Sequence, residues 1–274
     1  MGRPISFFAL EMGHTMEISM SDELNQDDVP TLGDINDQLV LIAGQSTAGK
    51  SASLRNIRNQ EKWLYLNTEA GKRLPFKNTF QNYRITDPYQ IWDAFDYGTN
   101  NPDVDGIIID TATFMMDMFE TMYVVNSANT MKGWSDYAQF FKTLMQQKVT
   151  LFGKTVIILA HTREDTDETT AEKVVAVPVK GSLRNNGLEA YFSTVVAAKR
   201  MTIKELEKHG FDPELLHISE EEKDLGVKHV FQTNITKNTK GERIRSPIGM
   251  FTKSQTYMDN DAQILLDHLH KFYA

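Results

Sequence analysis

Apolar residues along this chain fall into short uninterrupted runs that alternate with longer amphipathic segments. The runs are residues 39–43, 63–67, 106–110, 155–161, 174–177 and 194–198. Runs of this length that end at glycine or a polar residue are typical of strands buried on both faces of a parallel sheet. Helical patterns occupy residues 50–60, 89–97, 115–125, 134–149 and 261–273. The alternation predicts an α/β fold with a mostly parallel central sheet flanked by helices.

The remaining segments define the predicted domain organisation. Residues 1–36 contain an acidic, linker-like stretch and are interpreted as an N-terminal extension of a core at 37–274. Residues 162–170 are polar and predict a mobile loop, and the highly charged residues 204–228 predict a helical insertion. A turn at residues 238–241 separates two strand-like runs, at 229–235 and 245–252, which predicts a C-terminal antiparallel hairpin.

Composition excludes several classes of protein. The chain has no cysteine, so disulfides and thiolate metal sites are ruled out. No apolar run approaches the roughly 18 residues of a membrane span, and we expect a cytoplasmic protein with no membrane partner. The net charge of −8 argues against coating nucleic acid by bulk electrostatics but leaves room for a local basic groove.

A complete G-x-x-x-x-G-K-[ST] motif follows the first apolar run. It reads Gly44-Gln45-Ser46-Thr47-Ala48-Gly49-Lys50-Ser51. Its glycines let the backbone fold around an anion with N–H groups pointing inward, and the following helix adds the positive end of its dipole. Lys50 is expected to bridge the β- and γ-phosphates, while the Ser51 hydroxyl ligates Mg²⁺. The motif predicts a P-loop NTPase that binds a nucleoside triphosphate with Mg²⁺.

A carboxylate at the end of another strand is the expected second metal anchor. Asp110 ends the run 106–110, at the sheet edge where ligands of such folds bind. The guanine-reading pattern [NT]-K-x-D begins at Thr236-Lys237 but lacks its Asp. We therefore expect ATP rather than GTP.

Two further strand ends resemble the RecA/DnaB/KaiC group of ATPases. In that group a Glu after the strand that follows the P-loop helix polarises water, and Glu69 matches it by position. A polar residue near the γ-phosphate corresponds to His161, although the family often has Asn-Gln or Ser-Gln there. The resemblance implies catalytic roles for Lys50, Glu69 and His161. A surface glutamate and a satisfied strand-end histidine are the alternatives.

The segment Lys237-Asn238-Thr239-Lys240-Gly241 resembles the K-N-R-x-G hairpin of DnaB-type helicases. In those proteins its basic residues reach the ATP of the neighbouring subunit, which implies a trans-acting role for Lys237 and Lys240 and a homo-oligomeric ring or filament. This chain has lysine where arginine is more usual. A hairpin tipped with lysines for solubility is the alternative.

The whole segment from residue 38 to 252 resembles phage-encoded RecA-like ATPases of the Sak single-strand-annealing type, related to the AAA-like phage nucleotide-binding family. The motifs that carry the likeness are residues 44–51, 65–76, 107–110, 157–163 and 179–184. The resemblance implies action on single-stranded DNA in phage recombination or replication, in the host cytoplasm, with a single-strand-binding or recombination protein as a further partner.

In RecA-like proteins the loops after the Asp and sensor strands touch DNA. Here they correspond to residues 113–132 and 164–184, where Lys132, Lys180 and Arg184 are candidate phosphate contacts and Trp134 a stacking ring. Acidic residues 164, 165, 167 and 168 oppose this interpretation of the second loop, and Tyr137, Phe140 and Phe141 have the spacing of core residues.

Two other functions remain open from the sequence. A small-molecule or nucleoside kinase would use the same P-loop, but such kinases carry an arginine-rich lid that the sequence does not offer clearly. A binding module or regulatory switch would hold ATP and hydrolyse it barely at all.

Overall fold

A mostly parallel sheet forms the centre of the molecule. The computed structural model describes residues 36, 38–166 and 173–274, and within them this sheet has eight strands. These are β1 (Leu39–Gly44), β2 (Trp63–Asn67), β3 (Gln81–Arg84), β4 (Gly106–Asp110), β5 (Thr155–His161), β8 (Thr194–Thr202), β9 (Val227–Gln232) and β10 (Tyr257–Asp259). Their order is β10-β9-β8-β1-β5-β4-β2-β3. From β8 to β3 every neighbouring pair is parallel, while β9 is antiparallel to both β8 and β10.

The predicted α/β class with a parallel sheet is therefore confirmed. The run at 174–177 is not part of this sheet, and β3 was missed at sequence level. Gln81 and Tyr83 are half-buried whereas Asn82 and Arg84 are exposed. This polar edge strand lacks the apolar run that marks the central strands, so its sequence resembles a loop.

Helices and short helical turns connect the strands. The α-helices are α1 (Tyr89–Thr99), α2 (Ala112–Phe119), α3 (Thr130–Thr143), α4 (Thr150–Phe152), α5 (Leu183–Asn186), α6 (Ile203–His209), α7 (Glu220–Leu225) and α8 (Ala262–Tyr273). The π-helical segments Glu120–Val124 and Leu144–Val149 extend α2 and join α3 to α4. Short 3₁₀ helices occupy Ser51–Asn56, Gln60–Lys62, Leu188–Tyr191 and Lys253–Gln255.

The prediction of a continuous helix over residues 50–60 is wrong. Two 3₁₀ helices, Ser51–Asn56 and Gln60–Lys62, replace it. The Ser53 amide is shared between the carbonyls of Gly49 and Lys50, and its hydroxyl also donates to Lys50 O at 2.6 Å. Serine side chains compete in this way for backbone groups that an α-helix needs.

Apolar cores cover both faces of the sheet. Along β1, Leu41 and Ala43 pack into a core with α1, α2 and α3, while Val40 and Ile42 face a second core that includes Leu265 of α8. Side chains of a strand alternate between faces, so strands buried on both sides need a continuous apolar sequence. The expected core residues Tyr137, Phe140 and Phe141 are buried.

The predicted mobile loop at 162–170 contains a strand in its described part. Arg163–Thr166 (β6) pairs antiparallel with Lys173–Ala176 (β7), in a two-stranded sheet separate from the central one. All four residues of β6 are exposed, and ion pairs such as Lys173–Glu164 cross the pair. The polar composition reflects a solvated hairpin. Residues 167–170 lie outside the described part, as does nearly all of the predicted N-terminal extension.

The C-terminal antiparallel element is present, but the predicted pairing of 229–235 with 245–252 is wrong. β9 pairs with β8 and β10, and Arg245 makes only an isolated bridge to Val195. Pro247 lacks an amide donor and residues 247–250 form a turn, so this stretch does not continue as a strand. Residues 204–228 contain α6 and α7, and α6 packs through Leu206 against Val230 of β9.

Candidate active site

The loop that links β1 to the Ser51–Asn56 helix curls tightly at the carboxyl edge of the sheet. Thr47 and Gly49 have positive φ angles of 66° and 93°. At Gly49 a Cβ atom would lie 2.5 Å from Asn260 Nδ2, so glycine is required there by contact as well as by conformation. Such alternation of backbone conformation turns successive amides toward one concave side, which is an anion-binding arrangement.

Lys50 lies inside this curl with only 6% of its surface exposed. Its Nζ donates to the carbonyl oxygens of Gly44 and Gln45, both at 2.9 Å, and lies 3.2 Å from His161 Nδ1. Burial lowers the pKa of Lys50 to about 8, although the carboxylates of Asp110 and Glu69 act in the opposite direction. The ammonium group is thus held by the loop that a phosphate would enter.

Asp110 ends β4 beside this loop, and one of its oxygens is well bonded. Oδ2 accepts from Ser51 Oγ at 2.9 Å and from the Tyr65 hydroxyl at 2.6 Å. Tyr65 on β2 pairs in register with Ile108, two residues before Asp110, so both side chains lie on the same face of the sheet. Burial raises the pKa of Asp110, and the hydrogen bonds from Tyr65 and Ser51 work against that rise.

These residues fit the Mg²⁺ ion that the motif implies. Asp110 Oδ1 is buried without a hydrogen-bond partner among the described residues, and Ser51 Oγ is adjacent to the same carboxylate. Hard oxygen donors of this kind suit Mg²⁺, which keeps several waters and takes further ligands from substrate phosphates. In the described part of the chain no cluster of three or more His, Asp or Glu side chains forms a metal site of its own. Ser51 and Asp110 would hold the ion, which would neutralise charge on the phosphates.

Glu69 and His161 meet on the other side of Lys50. His161 Nε2 lies 3.1 Å from Glu69 Oε1, and Lys72 Nζ donates to Glu69 Oε2 at 2.9 Å. Because the Lys50 ammonium can only donate to Nδ1, His161 is assigned as the neutral tautomer that donates through Nε2. Burial tends to raise the pKa of Glu69, but the hydrogen bonds from Lys72 and His161 lower it overall.

All of these groups line one cleft of about 550 Å³. Its other walls are residues 72–75 after β2 on one side, and Lys228, His229, Asp259 and Asn260 of the C-terminal strands on the other. Strand ends β1, β2, β4 and β5 converge here because carboxyl ends of parallel strands share one edge. The structure therefore brings together the predicted residues of the loop, Lys50, Ser51, Glu69, Asp110 and His161.

Comparison with known proteins decides the family of this site. The model of a family described as an AAA domain matches residues 36–241, which is most of the chain and includes the loop 44–51, Glu69, Asp110 and His161. The chain belongs to this AAA domain family. An AAA domain is a P-loop ATPase domain, so nucleotide binding is a property of the family and typically involves Mg²⁺. A search of the curated proteins finds no match.

The other predicted residues of this AAA domain lie outside the cleft. Lys237 and Lys240 are exposed on the segment that follows β9, around a turn from Thr236 to Thr239. Lys132 is paired with Asp136 on the same helix at 2.5 Å, and Trp134 packs edge-on against Tyr137. The Lys132 side chain is 68% exposed and such solvated pairs are weak, so Lys132 and Trp134 stay predicted DNA contacts.

Lys180 and Arg184 lie together near the end of β5. They line a separate cleft of about 450 Å³ with Arg163 and Thr113. Lys180 pairs with Glu120 at 2.5 Å, whereas Arg184 is exposed. In the part of the chain that the structure describes, none of the helices has the length and apolar character needed to cross a bilayer.

Two contributors to the site were missed at sequence level. Tyr65 was included in an apolar run, yet its hydroxyl binds Asp110. The available signal was its position, two residues before the end of a strand that neighbours β4. Lys72 binds Glu69 from three residues away, a spacing typical of a turn contact.

Proposed function

We propose that this AAA domain binds and hydrolyses Mg-ATP and acts on single-stranded DNA in phage recombination or replication. The observation that carries the ATPase part is the arrangement around Lys50. A buried lysine, a serine–aspartate pair and a Glu–His pair converge on one anion-binding loop. Phosphoryl transfer depends mainly on this kind of positioning and charge stabilisation.

Each group has a distinct role in the proposed reaction. The loop amides and Lys50 bind the β- and γ-phosphates, and Lys50 exchanges carbonyl partners for phosphate oxygens. Glu69, kept ionised by its lowered pKa, orients the attacking water and accepts its proton. His161 couples the two, because its Nδ1 faces Lys50 while its Nε2 holds Glu69.

A nucleotide switch with little hydrolysis is the second candidate, and one observation favours it. Both carboxylate oxygens of Glu69 are engaged, Oε1 by His161 and Oε2 by Lys72. These contacts fix the carboxylate and use one lone pair of each oxygen, so fewer acceptor sites are left to orient a water molecule. The two functions differ in whether Glu69 matters for turnover.

The cleft beside Arg184 supports the DNA part of the proposal. Thr113, which follows β4, lines that cleft and also accepts the backbone N–H of His161 at 2.9 Å. The Phe114 ring contacts the His161 ring edge-on at a centroid distance of 5.6 Å. A single strand of DNA bound to Arg163 and Arg184 would lie beside residues that contact His161. Its binding would thereby change the position of His161 and stimulate hydrolysis.

Exposure supports assembly into a ring or filament. Lys237 and Lys240 make no ion pair among the described residues, and Ile235 and Ile248, close to them in the sequence, are 52% and 101% exposed. In the proposed oligomer this segment contacts the neighbouring subunit's cleft and supplies a cation to its nucleotide. The Sak-type likeness supports a role for this assembly on single-stranded DNA in recombination, with a single-strand-binding or recombination protein as partner.

Steady-state hydrolysis with and without single-stranded DNA, alongside mass measurement in each nucleotide state, tests the proposal. The expected results are ATP hydrolysis by the unmodified chain, stimulation by single strands, and assembly that depends on nucleotide. Lys50→Ala should abolish ATP binding. Glu69→Gln should bind ATP within about twofold of the unmodified chain and lose turnover by about 100-fold or more. Turnover unchanged in Glu69→Gln would favour the switch.

A matched pair of variants tests the DNA cleft. Arg184→Ala should reduce the stimulation of ATP hydrolysis by DNA. It should also reduce the slope of log DNA affinity against log salt concentration by about one. Lys271→Ala is the control, because this exposed lysine near the end of α8 does not line that cleft. Equal effects of the two substitutions would argue against the cleft beside Arg184 as the DNA site.

A further inference from the structure

Two polar side chains, one on β9 and one just after β10, bind backbone carbonyls of the phosphate-binding loop. His229 on β9 places Nδ1 at 3.1 Å from the Ala48 carbonyl oxygen. Asn260, which follows β10, donates from Nδ2 to the Gly49 carbonyl oxygen at 2.9 Å. They are 181 and 211 residues away along the chain from the carbonyls that they bind. No sequence motif connects them to the loop.

The fit between these residues and the loop is close. A Cβ atom at Gly49 would lie 2.5 Å from Asn260 Nδ2 and 3.1 Å from His229 Nδ1. Asn260 is 5% exposed, and its own backbone carbonyl oxygen accepts from Arg55 Nη1 at 2.9 Å. The residue is therefore anchored both to the loop and to the helix Ser51–Asn56 that follows it.

The direction of the two carbonyls determines the direction of two amides. In a planar trans peptide unit the C=O and N–H groups point in opposite directions. When His229 binds the Ala48 carbonyl, the Gly49 N–H faces away from His229, and when Asn260 binds the Gly49 carbonyl, the Lys50 N–H faces away from Asn260. Both amides are thereby aimed at the concave side of the loop, where an anion binds.

We propose that His229 and Asn260 are positioning residues that preorganise the amides of Gly49 and Lys50 for the phosphate groups. This inference deepens the proposed ATP-binding function and rests on it. Through these two contacts the antiparallel strands β9 and β10 set the affinity for nucleotide by orienting amides of the loop, from a position in the wall of the same cleft. Asn260 is buried and should contribute more than His229, which is exposed and competes with water.

Binding of Mg-ATP and of inorganic tripolyphosphate with Mg²⁺, measured by titration calorimetry, tests the assignment. Asn260→Ala should raise the Kd for both ligands about tenfold, and His229→Ala about threefold, because both act on the phosphate nest. In hydrolysis assays KM should rise with kcat changed less than twofold, as expected when uniform binding is lost. His229→Asn should restore affinity, since asparagine Nδ2 occupies the place of histidine Nδ1.

Two side chains outside the loop contacts, one just after β9 and one in α8, serve as controls. Asn234→Ala and His268→Ala remove side chains that bind the carbonyls of Phe251 and Met250 and do not touch the loop, so both should leave affinity unchanged. Unchanged tripolyphosphate affinity in Asn260→Ala and His229→Ala overturns the assignment, even if ATP affinity falls. If Asn260→Ala does not fold, comparison of His229→Ala with His229→Asn still decides the question, because His229 is exposed. If the unmodified chain binds neither ligand, the proposed function itself fails.

Discussion

Replacing Tyr65 by phenylalanine removes one hydroxyl from the most buried part of the site. Tyr65 and Asp110 are 3% and 2% exposed, and their hydrogen bond is 2.6 Å long. A hydrogen bond to a charged acceptor contributes about 1.5–3 kcal/mol. Asp110 Oδ1 already lacks a partner among the described residues, so Tyr65→Phe leaves the carboxylate with Ser51 alone. We expect the free energy of unfolding to fall by about 2 kcal/mol.

The loss should be visible in two measurements. For a domain of this size, about 2 kcal/mol corresponds to a fall in Tm of roughly 4–8 °C. Urea unfolding followed by circular dichroism gives the free energy directly. Because the Tyr65 hydrogen bond helps to lower the pKa of Asp110, its removal raises that pKa further and should weaken Mg²⁺-dependent nucleotide binding.

A double-mutant cycle separates this hydrogen bond from packing. In an Asp110→Asn background the acceptor is neutral, and the same hydroxyl should contribute only about 1 kcal/mol. Tyr191→Phe is the control, since Tyr191 is half-buried against Phe141 and its hydroxyl makes no hydrogen bond among the described residues, and it should cost less than about 0.5 kcal/mol. An equal cost of Tyr65→Phe in both backgrounds would refute the charge-assisted bond.

Three further substitutions test other parts of the structure. Gly106→Ala places a Cβ atom 2.4 Å from the buried Trp63 ring and should cost about 1–3 kcal/mol by urea unfolding; no cost would show that β2 and β4 separate easily. Leu206→Ala empties a fully buried position that packs with β9 and should cost about 2–5 kcal/mol, with faster amide hydrogen exchange in β9. If the faster amide hydrogen exchange were confined to α6, this helix would unfold independently of β9. Lys72→Met removes a group that lowers the pKa of Glu69, so the acidic limb of the pH–rate profile for hydrolysis should move to higher pH. An unmoved limb would exclude Glu69 as the titrating base.

Sequence patterns predicted the centre of this molecule because buried parallel strands leave a strong signal. The apolar runs of β4 and β5 end at Asp110 and His161, which belong to the site. The runs of β1 and β2 end shortly before the other site residues, Lys50 and Glu69. Since carboxyl ends of parallel strands meet, Lys50, Asp110, Glu69 and His161 could be grouped from the order of the runs along the chain.

Other features depended on contacts that leave no local pattern. The solvated hairpin β6–β7 and the polar edge strand β3 have the composition of loops. The partner of β9 is decided by competition among β8, β10 and residues 245–252, which periodicity alone does not resolve. Tyr65, His229 and Asn260 act through single atoms that reach another element, and their residue types are unremarkable in sequence.

The pairing of the parallel strands implies that tolerance to insertions and deletions is very uneven along the chain. Gly44 is paired with His161, and Asn67 with Asp110. One residue added within any of these strands would advance its end by about 3.3 Å and exchange its two faces, so the reacting groups would no longer meet. The turn at residues 126–129 is not part of a strand and carries no such constraint. In a library of length variants, tolerated insertions and deletions should be frequent in this turn and rare in the strands.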